Sequence, residues 1–346
     1  MRRILLFLFL ICLIGCSEDS PKNFFNGNIR TVEFPNKVSL KGEFIDVDSI
    51  GIGCVEIFTP YLFLTTYRLP YFTKVYKLNN YEFLSDYFYQ GQGPEEFLSF
   101  GIIKKQYPYL WVNDYKNKRI SLINAEKTFN TELVCIEKVL NYKKVVDPFN
   151  VFYLNDTCLL IKDYNSVDRE LYYLKYNPKN DSIEADWKFV IYNNPITYEL
   201  MNKILTLADQ IHPDGSKIVS ITEKFNQIDI IDLNNPVESF SITTEKNIKN
   251  NYFHVNKTLD EELNRYYFSG PICTNDKIYV LYNTEKNDQV EVHIIDWKGN
   301  PLGILSLDKY LRYINVDEDN KILYGIDDDS EKLYKYDISE CNLKID

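Results

Sequence analysis

The chain has 346 residues, of which 45% are hydrophobic and 26% charged, enough to build a large core and too apolar for global disorder. Its net charge is -11, so it repels phosphate backbones, and nucleic acid is excluded as an expected partner. The 28 tyrosines and 21 phenylalanines favour strands over helices.

The first predicted element is a signal peptide over residues 1–15. Arg2 and Arg3 precede an unbroken apolar run, "ILLFLFLICLI". A membrane-spanning helix needs about 20 such residues, so this run is too short to span and fits the apolar region of a signal peptide. It ends in "LIGC", Leu13 to Cys16, which resembles the lipobox of bacterial lipoproteins. The resemblance implies that Cys16 becomes the first residue and carries acyl chains, palmitate among them, each buried methylene adding about 0.8 kcal/mol of membrane affinity. Residues 16–28 then read as a polar tether. Ser17 is not the aspartate that retains lipoproteins at the inner membrane, and Glu18 and Asp19 resemble an acidic surface-export signal of one Gram-negative lineage. The expectation is an outer-membrane lipoprotein facing the cell exterior.

Residues 29–346 read as one domain of repeated strands. An early run, "IRTVEFPNKVSL" (29–40), has no unit of its own and is expected to complete the last one. A short apolar run closing on a polar residue then recurs at Thr66, Asp114, Asp163, Glu223, Asn283 and Asp327, a period of about 50 residues. Each is followed by an alternating strand such as "TKVYKLNN" or "KRISLINA", a turn and a further strand. Six four-stranded units predict an all-β fold, a six-bladed β-propeller closed by an N-terminal strand. "HPDGSK" (212–217) reads as a tight hairpin turn. "ITYELMNKIL" (196–205) and "NKTLDEELNRYYF" (256–268) carry helix-compatible patterns and are expected as two short helical inserts.

"GQGPEE" (91–96) falls between the outer strand of the first unit and the inner strand of the second. It lacks the lysine of a P-loop and the third glycine of a dinucleotide fingerprint. Gly91 and Gly93 are expected at positive φ where the chain reverses. "GQGPEEF" followed by "LWVNDYKNKRISLIN" is similar to NHL-type propeller repeats, matching at Gly93, Pro94, Phe97, Asp114, Asn117, Arg119 and Ile120. The stretch from Val290 to Ile326 resembles TolB-like six-bladed propeller lipoproteins, matching at Asp296, Trp297, Gly299, Asn300, Val316, Asp317 and Glu318. The resemblance implies the propeller and the lipoprotein character; it brings no catalytic residue.

Chemistry-bearing patterns are few. The three histidines, His212, His254 and His293, have no metal-ligand spacing. Five cysteines remain beyond Cys16, at 54, 135, 158, 273 and 341, an odd number without CxxC spacing, so they read as buried free thiols. The acidic turns at 46–49, 316–320 and 327–331 do not complete a calcium loop. No catalytic residue, metal or cofactor is expected. The expected function is non-catalytic binding or scaffolding of a protein or glycan ligand by a monomer; the alternative is a hydrolase or lyase with a carboxylate-lined central channel. In a propeller, outer-to-inner connectors and second-to-third loops share one face. That face would carry the candidate ligand-binding residues Arg68, Tyr71, Gln92, Asp114, Tyr164 and Arg169. Asp114 has a competing role in holding its own loop.

Overall fold

In a computed structural model of the chain, six antiparallel sheets form the six blades of a propeller. The structure describes residues 28–48, 50–68, 70–131, 133–145, 148–165, 170–193, 207–222, 226–244, 267, 269–284 and 289–341. Blade one comprises Ile52–Phe58, Tyr61–Thr66, Tyr71–Lys77 and Phe83–Tyr89, from the axis outward. Blades two to six follow over 101–141, 150–193, 207–243, 272–307 and 311–337. Among the described residues no helix is long and apolar enough to cross a membrane. The predicted signal peptide, Cys16 and the tether as far as residue 27 lie outside the described residues, as does nearly all of the two predicted helical inserts.

Strand alternation explains why a ring is needed. Lys277–Asn283 reads "KIYVLYN" and is apolar on both sides. Its Ile278 and Val280 join the core between blades four and five, whereas Tyr279 and Leu281 join the core between blades five and six. A strand with two apolar faces must be covered twice, and each blade is covered by its two neighbours. Further cores lie between blades six and one, one and two, and two and three. Between blades three and four the described residues include a buried ion pair: Lys162 Nζ lies 2.6 Å from Asp209 Oδ2.

The closure differs from the sequence expectation in its residues. The fourth strand of blade six is β3 (Glu43–Ile45), antiparallel to Leu333–Asp337. Residues 29–40 lie elsewhere. β1 (Ile29–Thr31) adds in parallel to the outer strand of blade four, and β2 (Lys37–Leu40) adds in parallel to that of blade five. The N-terminal segment thus crosses three consecutive blade edges and covers two otherwise unpaired ones.

Two faces result. The loop face carries the outer-to-inner connectors. The turn face carries the inner-to-second and third-to-outer turns, including the predicted 212–217 hairpin, where Gly215 has φ +79°. This face holds more than tight turns. Helix α1 (Ala125–Thr131) extends the third-to-outer turn of blade two, its Lys127 N–H capped by Asn124 Oδ1 at 3.0 Å.

Candidate functional site

The 91–96 connector is built around a folded-back glutamate. Glu96 Oε2 accepts the Gly93 N–H at 2.7 Å. A Cβ on Gly91 would stand 2.0 Å from Glu96 Oε2, and one on Gly93 2.9 Å from Glu96 Cδ. Room for that carboxylate, and not a positive φ, is what the two glycines provide: the positive-φ glycines described are 51, 215 and 299. The unusual backbone falls one strand earlier, at Phe88, with φ 62° and 1% exposure. A bulky residue held there marks a site where surrounding packing imposes the conformation. Phe88 stacks on Phe100 at 4.6 Å between ring centroids and meets Phe97 edge-on at 5.9 Å.

Asp114 belongs to the same junction and is removed from the ligand-binding set. It is 0% exposed. Its carboxylate accepts from Leu98 N–H at 3.2 Å, Ser99 N–H at 3.0 Å, Ser99 Oγ at 2.9 Å and Asn117 Nδ2 at 2.7 Å. Arg119 Nε lies 3.3 Å away, and the Arg119 guanidinium also donates to the Glu96 carbonyl and lies over the Phe97 ring. Of the residues that gave the NHL resemblance, Phe97, Asp114, Asn117 and Arg119 form one latch between blades one and two, whereas Ile120 packs in the core between blades two and three.

Above this latch is a groove of about 400 Å³ on the outer flank between the two blades. Tyr71 and Tyr89, paired across adjacent strands, meet edge-on at 5.4 Å and are 37% and 43% exposed. Pro94 and Glu95 line one side, and Leu133 and Val134 the other. Leu133 is 66% exposed. Glu95 is exposed and has no ion pair or hydrogen bond among the described residues. Asp86, at the base, lies 3.7 Å from Lys74 Nζ. Helix α1 anchors the far wall: Phe129 packs edge-on against Tyr61 at 4.7 Å and Tyr87 at 4.8 Å. Exposed aromatic edges on rigid strands, beside an uncompensated carboxylate, suit a ligand with an apolar body and a positive charge.

The other predicted residues do not converge on this groove. Arg68 lies near the junction with blade six, its stem over Gly51, where a Cβ would stand 2.9 Å from Arg68 Nε. Gln92 is exposed at the connector tip. Tyr164 is partly buried on blade three, its N–H bonded to Asp163 Oδ1 at 2.8 Å. Arg169 lies outside the described residues. Tyr89 and Leu133 escaped sequence reasoning. Tyr89 was legible as the register partner of Tyr71 in a hairpin, but a seven-residue helix followed by Leu133 leaves too short a pattern to read.

Elsewhere the polar groups are mostly engaged. Asp296 holds its turn through Lys298 N–H and Asn300 N–H, each at 2.8 Å, and Asp317 holds Asn320. Among the described residues no three His, Cys, Asp or Glu side chains converge as a metal site. The five thiols are free and half-buried; burial pushes the Cys54 thiol up to about 12. His293 is buried between Phe34 and Tyr282, 3.3 Å from Glu291 Oε2, and burial holds its imidazole below the usual value.

Fold and groove together define a six-bladed β-propeller with an exposed groove on the flank between blades one and two. No known family profile matches the chain, and no curated protein matches it in sequence. Solved structures do superpose. A member of the DUF4221 family from Bacteroides vulgatus is 12% identical, with a TM-score of 0.52 over 89% of this chain and 94% of that one. A candidate exported protein from Bacteroides fragilis is 12% identical, with a TM-score of 0.48 over 87% and 99%. The Cps50 β-propeller domain of Myceliophteria thermophila is 10% identical, with a TM-score of 0.45 over 86% and 100%. At such identities the likeness bears on fold alone.

Proposed function

We propose that this chain is a non-catalytic binding propeller of the TolB-like or NHL-like kind, exported and held at the outer membrane by acyl chains on Cys16. The observation that carries the binding reading is the groove of Tyr71, Tyr89, Glu95 and Leu133, exposed on a rigid junction between two blades. Its exposed aromatic pair and free carboxylate favour a protein ligand that inserts a lysine or arginine side chain. The lipobox-like Leu13–Cys16 and the polar tether after it support the anchoring. The tether joins the fold at Asn28, which is bonded to Ser239 and Ser241 near the turn-face end of blade four. Attachment there leaves the loop face free to point away from the membrane.

The test is a pulldown from native outer membranes using wild type and a Tyr71→Ala/Tyr89→Ala/Glu95→Gln variant. The variant is expected to keep its melting temperature and lose the partner. A partner retained at equal yield overturns the groove assignment. Cys16→Ser is expected to abolish palmitate incorporation, and unchanged labelling overturns the anchoring.

A further inference from the structure

On the turn face the six inner strands end around a cavity of about 580 Å³, a volume typical of small-molecule sites. Glu56, Lys104, Tyr153, Gln210, Ile272 and Asn315 line it, one from each blade in order. Its charged groups differ in how they are engaged. Lys105 Nζ lies 2.6 Å from Glu56 Oε2, which also accepts Asn315 Nδ2 at 3.1 Å. That circuit ties blades two, one and six together. At the rim, Asp214 Oδ1 lies 2.7 Å from His212 Nδ1 and accepts the Ser216 N–H at 2.8 Å. Both carboxylates are therefore already held, so the described wall offers no free pair for acid and base catalysis.

Lys104 is different. Among the described residues it has no carboxylate partner. Its Nζ lies 5.6 Å from the Trp111 ring centroid and 5.4 Å from that of Tyr153. Such ring contacts support an ammonium without using its three N–H donors in hydrogen bonds. The side-chain amides of Gln106 and Gln210, also in the wall, have no protein partner among the described residues. The Tyr153 hydroxyl donates to Asp156 Oδ1 at 2.9 Å; burial, then that bond, push it up to about 12, so the ring stays neutral. Ile102, Ile211 and Ile272 give the cavity its apolar share.

We propose that this channel mouth binds a small organic monocarboxylate. Lys104 anchors the carboxylate, the free amides of Gln106 and Gln210 donate further hydrogen bonds, and the apolar body packs on Tyr153 and the isoleucines. A single uncompensated cation matches a single negative charge. The second charge of a phosphate monoester would face the Glu56 and Asp214 carboxylates, and a cationic ligand would face Lys104. The site shares no lining residue with the Tyr71 groove on the outer flank, so it does not depend on the binding reading given above.

The test is titration of the purified mature protein with N-acetylphenylalanine, followed by calorimetry and by tryptophan fluorescence, since Trp111 flanks Lys104. Saturable binding is expected, weakening with added salt. The neutral N-acetylphenylalaninamide and the Lys104→Met variant are each expected to bind at least about tenfold more weakly. Lys104→Arg should retain most of the affinity, and Tyr71→Ala should bind as wild type. Equal affinity for the amide, equal affinity of Lys104→Met, or tighter binding of phenyl phosphate overturns the proposal. So does the lack of saturation with N-acetylphenylalanine, phenylacetate and glucuronate alike. Should Lys104→Met fail to fold, the comparison of acid with amide on the wild type decides.

Discussion

Replacing Ile45 by alanine should loosen the ring at its closure. β3 contributes three paired positions to the last blade, Glu43 with Lys335, Phe44 with Tyr334 and Ile45 with Leu333. Of the three side chains only Ile45 enters the core, at 4% exposure, beside Ile52, Val55, Tyr324, Ile326 and Leu333 from blades one and six. Truncating a buried isoleucine costs about 2–5 kcal/mol, more where the cavity cannot collapse. A strand of three residues at a seam can shift inward, which favours the lower part of that range, about 2–3 kcal/mol. For a domain of this size that lowers the melting temperature by roughly 3–5 °C. Phe44 is 45% exposed and rests on Tyr334 at 6.0 Å, so Phe44→Ala should cost under about 1 kcal/mol. Calorimetry gives the melting temperatures, and size exclusion reports association through the freed edge of blade six. If Ile45→Ala and Phe44→Ala melt together and both stay monomeric, β3 is not what closes the ring.

Three further outcomes are expected. Gly299→Ala should destabilise by about 2 kcal/mol or more, because φ is +82° and a Cβ would stand 2.5 Å from Phe240 Cε2; Gly270→Ala, with no atom within 4 Å, should melt nearly as wild type. Asp114→Ala should cost about 3–5 kcal/mol in urea unfolding, since it removes the buried carboxylate that faces the Arg119 guanidinium and accepts the Leu98 and Ser99 N–H groups. Asp229, 1% exposed, is pushed up to about 6 by burial, above its ordinary 3.8, so its contribution is present below about pH 4 and lost as pH rises through about 6. Asp229→Asn should therefore melt closer to wild type at pH 4 than at pH 8, where the variant gains about 1–3 kcal/mol; a pH-independent difference would refute this.

The blades were legible because their strands alternate and their turns carry strong local signals. Val290–Asp296 and the Asp296–Asn300 turn can be read directly, since Asp296 and Asn300 bond within five residues of one another. The partner of residues 29–40 was not legible. A parallel strand added at an edge needs no turn, and its alternation fits any open outer strand equally well. Only the ladders from Ile29 to Ser241 and from Lys37 to Ile304 reveal the choice. The candidate site was read in part. Tyr71 was found as an exposed aromatic, but its groove depends on Tyr89, on the strained Phe88 and on Leu133 behind a two-turn helix. Asp114 was drawn to the site by its position at a strand end. Its burial follows from long-range bonds to Leu98 and Ser99 that no local pattern encodes.

The two faces place different demands on the same scaffold. On the turn face, polar links join neighbouring blades: Lys138 to Asp156 at 2.5 Å, His212 to the Asn275 carbonyl at 3.0 Å, and Tyr279 to Glu318 at 2.8 Å. Such links hold the inner strand ends in register, so the cavity between them is preorganised, and a ligand there would pay little ordering entropy. The flank groove is preorganised differently, by the buried phenylalanines beneath it and the Asp114–Arg119 latch. If Cys16 carries lipid, a tether of about a dozen residues reaches at most roughly 40 Å from the turn-face end of blade four. A small ligand and a macromolecular partner could be bound together without competing, because the flank groove and the channel mouth share no lining residue. Saturating the channel mouth with N-acetylphenylalanine should accordingly leave recovery of the groove partner unchanged, and loss of that partner would show that the faces are coupled.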